Sequence, residues 1–362
     1  MPVKIFLKTT KIILFFLFSL LFTVAAQARE IVDLAGRNLT VPDTVERIVA
    51  LGPGTLRLVV YLQALDKVVA VESLEKRGLS PFFRPYSEVC AKELTALPEI
   101  GSGGPGKLPE LEALLAARPQ VLFAIGLDRG QCENLTAKTG IPTVILSYGK
   151  LGVWRAEAQQ SLALMGEILE RQERAVVLSR FLEKSQAELR QKSAAAGPAP
   201  TAYFGGLAYK GGRGLESTEA GYFPGTLVQA RNVAGSNPDR GHLFVDKERL
   251  LQWNPEIIFL DYSSTAQISR DYLANPDFYQ LLQAVNHKQL FMLLPYNQYN
   301  TNLENALANA YYIAGRLYPE KFTEAAVTTK IAEIFNFFLG LKIDRTSLPA
   351  YHSFSLQRVA GR

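Results

Sequence analysis

Between Trp154 and Lys192 the chain has no proline and a single glycine, Gly166. Leu162, Met165, Leu169, Val176 and Phe181 recur there at near-helical spacing among Glu, Arg and Gln. The spacing predicts one long amphipathic helix, on the order of 50 Å if unbroken. Two helices kinked near Gly166 are the other reading, because a mid-helix glycine weakly disfavours helix. "AAAGPAP" ends the segment.

On both sides of this segment short apolar runs alternate with helical patterns. "IVDLAGRNLTV" reads as a hairpin turning at Gly36-Arg37-Asn38, and "RIVAL", "KVVAVE", "QVLFAIG" and "IPTVILS" as buried strands. "LPELEALLAARP" and "CENLTAKTG" read as helices between them. Such alternation means a mostly parallel α/β sheet. An echo links the two sides: "LLAARPQVLF" at 114–123 and "LLQWNPEIIF" at 250–259 both run helix end, proline stop, buried strand. One match on each side of the long helix suggests two similar lobes. Near the end, Thr301 and Glu304 read as a capping box, "FTEAAVTTKIAEIFNFFLG" as a last helix, and the tail after Ile343 as loosely held. The expected division is a signal peptide 1–28, an N-terminal lobe 29–153, a connecting helix 154–196, a C-terminal lobe 197–343 and a tail 344–362.

The first residues set the compartment. Lys4, Lys8 and Lys11 precede an apolar run from Ile12 to Phe22 and then Ala26-Gln27-Ala28, the layout of a cleaved secretory signal. The run is short for a membrane span, and no cysteine follows it to take a lipid. The periplasm is the expected location. The formal charge of +5 includes those three lysines, so the chain from Arg29 carries 5 − 3 = +2, which gives no argument for nucleic acid. At 48% hydrophobic and 20% charged, the composition is globular. The two cysteines, Cys90 and Cys132, permit one disulfide in an oxidising compartment; two buried thiols are the alternative.

"GSGGPGKL" at 101–108 comes one residue short of a phosphate-binding P-loop. Leu108 stands where Ser or Thr would hold magnesium, Pro109 follows, and an exported chain meets little ATP. What remains is a loop of small residues ahead of a helix, suited to offering N–H groups to an anion or to a plain turn. No Ser–His–Asp set or G-x-S-x-G elbow stands out, so an enzyme is not expected. A receptor for a bare divalent metal would want histidines in its site; the chain has three, His242, His287 and His352.

An exported two-lobe α/β chain with one long helix between lobes resembles the substrate-binding proteins of ABC importers for iron–siderophore, haem and cobalamin. "DLAGRNLTVPDTVERIVALGPGTLRLVVYLQALDKVVAVE" is similar to that family's opening pattern, and "LPEIGSGGPGKLPELEALLAARPQVLF" to its Gly-rich loop, helix and Pro-led strand. "GHLFVDKERLLQWNPEIIFLD" and "PYNQYNTNLENALANAYYIAGRLYP" resemble its iron-complex or metal-binding subgroup. One departure is "TLRL", with Arg57, where members often carry an acidic residue. The resemblance implies two α/β lobes of the helical-backbone type, a ligand in the cleft, and delivery to an inner-membrane permease with a cytoplasmic ATPase. It implies no intrinsic cofactor, and a monomer is expected.

Ligands in open α/β sheets bind beyond the carboxyl ends of the strands. In the first lobe that selects Gly54 and Thr55, Arg84, Arg129 and Tyr148; Gly103 and Gly104 are candidates for loop N–H contacts. In the second it selects Tyr209, Lys210, Arg213, Tyr262, Tyr296, Asn297 and Tyr299. Arg forks suit carboxylate or phosphate-like oxygens, and Tyr offers a flat face with a hydroxyl. The set points to an anionic, oxygen-rich ligand: an iron chelate (siderophore, haem or a relative), with molybdate or tungstate as the alternative. A sensor or adaptor built on the same fold is the other class of reading.

Overall fold

A computed structural model describes residues 28–77, 84–149, 156–208, 211–237, 240–342 and, in the tail, 348, 350–354 and 356. Apart from Ala28, the segment read as a signal peptide lies outside the described residues. Among the described residues no helix is long and apolar enough to cross a membrane.

Strands β1 (Ala28–Val32) and β2 (Asn38–Pro42) form the expected antiparallel hairpin. Its turn is locked by the buried ion pair of Asp33 with Arg37 at 2.6 Å. β3 (Ile48–Leu51), β4 (Val68–Ala70), β5 (Val121–Ala124) and β6 (Thr143–Ile145) make a wholly parallel sheet in the order β4-β3-β5-β6. The second sheet has β7 (Thr201–Gly205), β8 (Ser217–Glu219), β9 (Arg231–Asn232), β10 (His242–Phe244), β11 (Ile257–Asp261) and β12 (Leu290–Leu293). There β9, β7, β11 and β12 pair in parallel, while β8 and β10 are antiparallel additions.

Helices α1 (Thr55–Tyr61), α2 (Leu111–Ala117) and α3 (Arg129–Thr139) belong to the first lobe; α4 (Ala156–Ile168) and α5 (Gln172–Ala194) connect; α6 (Lys247–Trp253), α7 (Thr265–Ala274), α8 (Leu303–Leu317) and α9 (Glu324–Leu339) follow. The two-residue period of a strand sorts the core. Ile48 and Ala50 face a core shared with Phe204, Phe259 and the long helices; Val49 and Leu51 face Leu114 and Leu135 on the outer side. In the second sheet Phe259 faces the shared core, and Ile258 and Leu260 the outer cluster with Leu250. One apolar core therefore runs through both lobes.

The connecting segment corrects the expectation of a single rod. It turns back at Leu169–Arg171, where Glu170 adopts a left-handed φ of 58°. A Cβ on Gly166 would lie 2.9 Å from the Ala175 Cβ, and Gln159 reaches Glu183 at 2.8 Å. α4 and α5 thus form a helical hairpin in which Gly166 permits close packing. The long connector is α5, 23 residues.

Three other expectations change. Cys90 and Cys132 are free and buried in different clusters, on opposite faces of the first sheet, so no bridge forms. The capping box at Thr301 does not form: α8 starts after Asn302, and the Glu304 carboxylate is spent on Tyr61. The box with that geometry is Asp128 with Gln131 at the start of α3. Finally, the described tail residues are held. Tyr351 N–H donates to the Met292 carbonyl at 2.9 Å, Met292 N–H donates to the His352 carbonyl at 3.2 Å, and Tyr351 is buried. They cover the free edge of β12, which would otherwise invite pairing with another chain.

Candidate functional site: the junction of the two lobes

The strand-end loops of the first lobe meet the segment that follows β12. Gly52 and Gly54 both have φ near 80°, and a Cβ on Gly52 would collide with the Ile125 carbonyl at 2.0 Å. Glycine is therefore required for the turn that starts α1. Arg57, in α1, is fully buried and points across the junction. Its guanidinium donates to the carbonyls of Gln298 (3.0 Å), Tyr299 (3.1 Å) and Thr301 (2.9 Å). One turn further on, the Tyr61 hydroxyl donates to the buried Glu304 carboxylate and accepts from the Leu303 N–H at 3.1 Å. Burial opposes the Arg57 charge, but Tyr148, Tyr86, Tyr61 and Glu304 outweigh it and raise its pKa.

Beside this clamp lies a second buried set. Arg84 donates to Glu75 at 3.0 Å and to the carbonyls of Leu74 and Arg77. Tyr86 donates to the same Glu75 oxygen at 2.7 Å, with the Arg57 guanidinium over its ring. Glu72 accepts from Gly52 N–H (3.1 Å) and from the Tyr299 hydroxyl (2.9 Å). Burial pushes Glu72 up to about 7 against those two hydrogen bonds. The Tyr299 hydroxyl in turn accepts from Gly104 N–H at 3.1 Å. Asn300 reaches the Pro53 carbonyl at 3.3 Å. The glycine-rich loop is thus neither a P-loop nor a bare turn: it is the surface on which the second lobe rests.

The candidate residues separate into groups. Gly54, Gly103, Gly104, Arg84, Tyr148 and Tyr299 come together at the junction. Tyr148 is buried with its hydroxyl on the Gly54 carbonyl at 3.1 Å, and burial lifts its pKa to about 12. The N–H of Thr55 is taken by the Gly52 carbonyl at 3.3 Å and its hydroxyl by Leu51. Arg129 lies apart, exposed and paired with Glu133 at 2.7 Å. On the second lobe, Tyr296 is buried and donates to Glu219 at 3.2 Å. Arg213 donates its N–H to Ser264 Oγ at 2.9 Å and lies over Phe244. Tyr262 packs half-buried against the shared core, and Asn297 is exposed. Tyr209 and Lys210 lie outside the described residues.

Sequence reading missed Arg57, Tyr61, Glu72, Glu75 and Glu304. Arg57 did stand out, as an apolar-face arginine in "TLRL"; its partners, more than 240 positions on, gave no signal. Among the described residues no group of three or more His, Cys, Asp or Glu side chains could hold a metal ion. A surface hollow of about 600 Å³ lies elsewhere, between the hairpin and α4; it is lined by Asp33, Glu157 and Glu167, the wrong charge for an anion.

Two α/β lobes on a shared helical core, meeting at their strand ends, define a two-lobe solute-binding protein. Residues 48–296 match the family model described as periplasmic binding protein, and the chain belongs to that family. It is 23% identical over 343 residues to the molybdate-binding protein MolA of Haemophilus influenzae, covering 88% of this chain and 93% of that protein. The solved structure of molybdate-bound MolA is similar at a TM-score of 0.65 and 20% identity, over 87% of this chain and 99% of the other. A TroA-like periplasmic binding protein, FepB, from Veillonella parvula is similar to the same degree, at a TM-score of 0.65 and 20% identity, over 87% and 97%.

Proposed function

We propose that this protein is the soluble periplasmic component of an ABC importer, exported with loss of residues 1–28, and that it captures a compact oxyanion of the molybdate or tungstate type between its lobes. It then hands the solute to an inner-membrane permease driven by a cytoplasmic ATPase. It works by binding and release, not by chemical conversion.

The observation that carries this reading is the direct contact between lobes, Gly104 N–H to the Tyr299 hydroxyl at 3.1 Å. Faces that already touch favour a small solute. Loop N–H groups then supply donors of the kind a tetrahedral oxyanion needs. The likeness to a molybdate-binding relative points the same way. An iron chelate, the first expectation from sequence, is the second reading. It is favoured by the tyrosines of the second lobe and by the likeness to FepB.

Elemental analysis of protein purified from the native periplasm without chelators, with a visible spectrum alongside, decides between them. Stoichiometric molybdenum or tungsten without colour is expected. Stoichiometric iron with an absorbing chromophore would overturn the oxyanion in favour of the chelate.

A further inference from the structure

The Tyr299 hydroxyl is engaged in both directions. It accepts from Gly104 N–H at 3.1 Å and donates to Glu72 at 2.9 Å. The place it fills is built for close approach: a Cβ on Gly103 would lie 2.7 Å from the Glu72 Cβ. The Arg84 guanidinium lies over the ring, 5.6 Å from its centroid. The loop carrying it is unusual. Tyr299 and Asn300 have φ of 52° and 72°, two left-handed residues in a row without a glycine. Such a conformation persists only where the surroundings impose it. Here they do: Arg57 of the other lobe holds the carbonyls of 298, 299 and 301.

We propose that Tyr299 is an internal plug of the solute site: its hydroxyl fills the position on the glycine-rich loop that a solute oxygen takes on binding. This rests on the oxyanion reading above. A phenol oxygen offers Gly104 the same acceptor as an oxo group, and the Glu72 carboxyl, which burial inclines to keep its proton, then donates to that oxo group instead of accepting from the phenol. The strained loop is poised to let go once a better acceptor arrives. The solute therefore competes with a side chain, and its apparent affinity falls by the fraction of molecules that are plugged.

The test compares wild type with Tyr299→Phe by amide hydrogen exchange without ligand and by titration with sodium molybdate. In the variant, the Gly104 amide should exchange about tenfold faster. The molybdate Kd should fall about threefold to tenfold. Unchanged exchange at Gly104 overturns the plug. So does faster exchange with a raised Kd, which would make the hydroxyl a solute contact. If neither protein binds molybdate, the oxyanion reading fails and the plug fails with it; molybdate binding with unchanged exchange or a raised Kd sinks the plug alone. Tyr299→Leu carries the same expectations if the phenylalanine form does not fold.

Discussion

The two strand-end faces solve the same problem differently. On the first lobe, two wholly buried guanidiniums, Arg57 and Arg84, anchor the polar groups, and Arg57 donates to three carbonyls of the other lobe. On the second, the carboxylates are settled at home: buried Asp261 by the N–H and hydroxyl of Ser263, half-buried Glu219 by Tyr296. The first face therefore makes the junction, and the second is a finished surface. Damage to the first should loosen the whole molecule, whereas damage to the second should stay local.

Arg57→Met offers the largest break in that contrast. It keeps an unbranched apolar stem but removes the guanidinium, which strands three carbonyls and takes the compensating charge away from the Glu304 carboxyl. Unfolding by urea should show a loss of about 3 kcal/mol or more, as for several buried acceptors left unsatisfied. The mirror change, Asp261→Asn, should cost less than about 1 kcal/mol. Equal losses would sink the distinction between the faces.

Titration sharpens the same contrast at smaller scale. Burial lifts Glu72 from 4.5 to about 7 and Asp261 from 3.8 to about 6. In both cases the folded state keeps a proton that the unfolded state releases. Their stability contribution is full below the unfolded value and drains as pH rises through the folded one. Melting temperature should thus fall between pH 4.5 and 7 on account of Glu72, and between 3.8 and 6 on account of Asp261. Glu72→Gln should flatten the upper window and Asp261→Asn only the lower one; a Glu72→Gln profile parallel to wild type would refute the assignment. The smallest effect is expected from redox. Cys90 and Cys132 sit on opposite faces of the first sheet, with burial pushing their thiols up to about 12 and about 11. Reductant should leave the melting temperature unchanged, and a drop would reveal a bridge.

The fold was largely legible because its signals are local. "RIVAL" and "QVLFAIG" became β3 and β5, and the echo at 114–123 and 250–259 became the same unit twice. In each copy the helix ends on a left-handed residue, Arg118 at φ 49° and Asn254 at φ 39°. Reading failed where packing overrode pattern. Thr301-x-x-Glu304 has the spacing of a capping box, but Tyr61 claimed the carboxylate. The helix through Gly166 broke because α4 packs back on α5 at Ala175. The site was half legible. Gly54, Gly103, Gly104 and Tyr299 were named from strand ends and loop composition. Arg57 and Glu72 take their roles from neighbours distant in sequence, which no local pattern records.

The Arg57 contacts span 241 to 244 positions. Closing so long a loop is entropically costly and comes late. Until residues 298–304 exist, Arg57 has a buried berth and none of these acceptors, a state that burial makes unfavourable. A polypeptide made from its N-terminus onward therefore leaves Arg57 without these acceptors until residues 298–301 have been added.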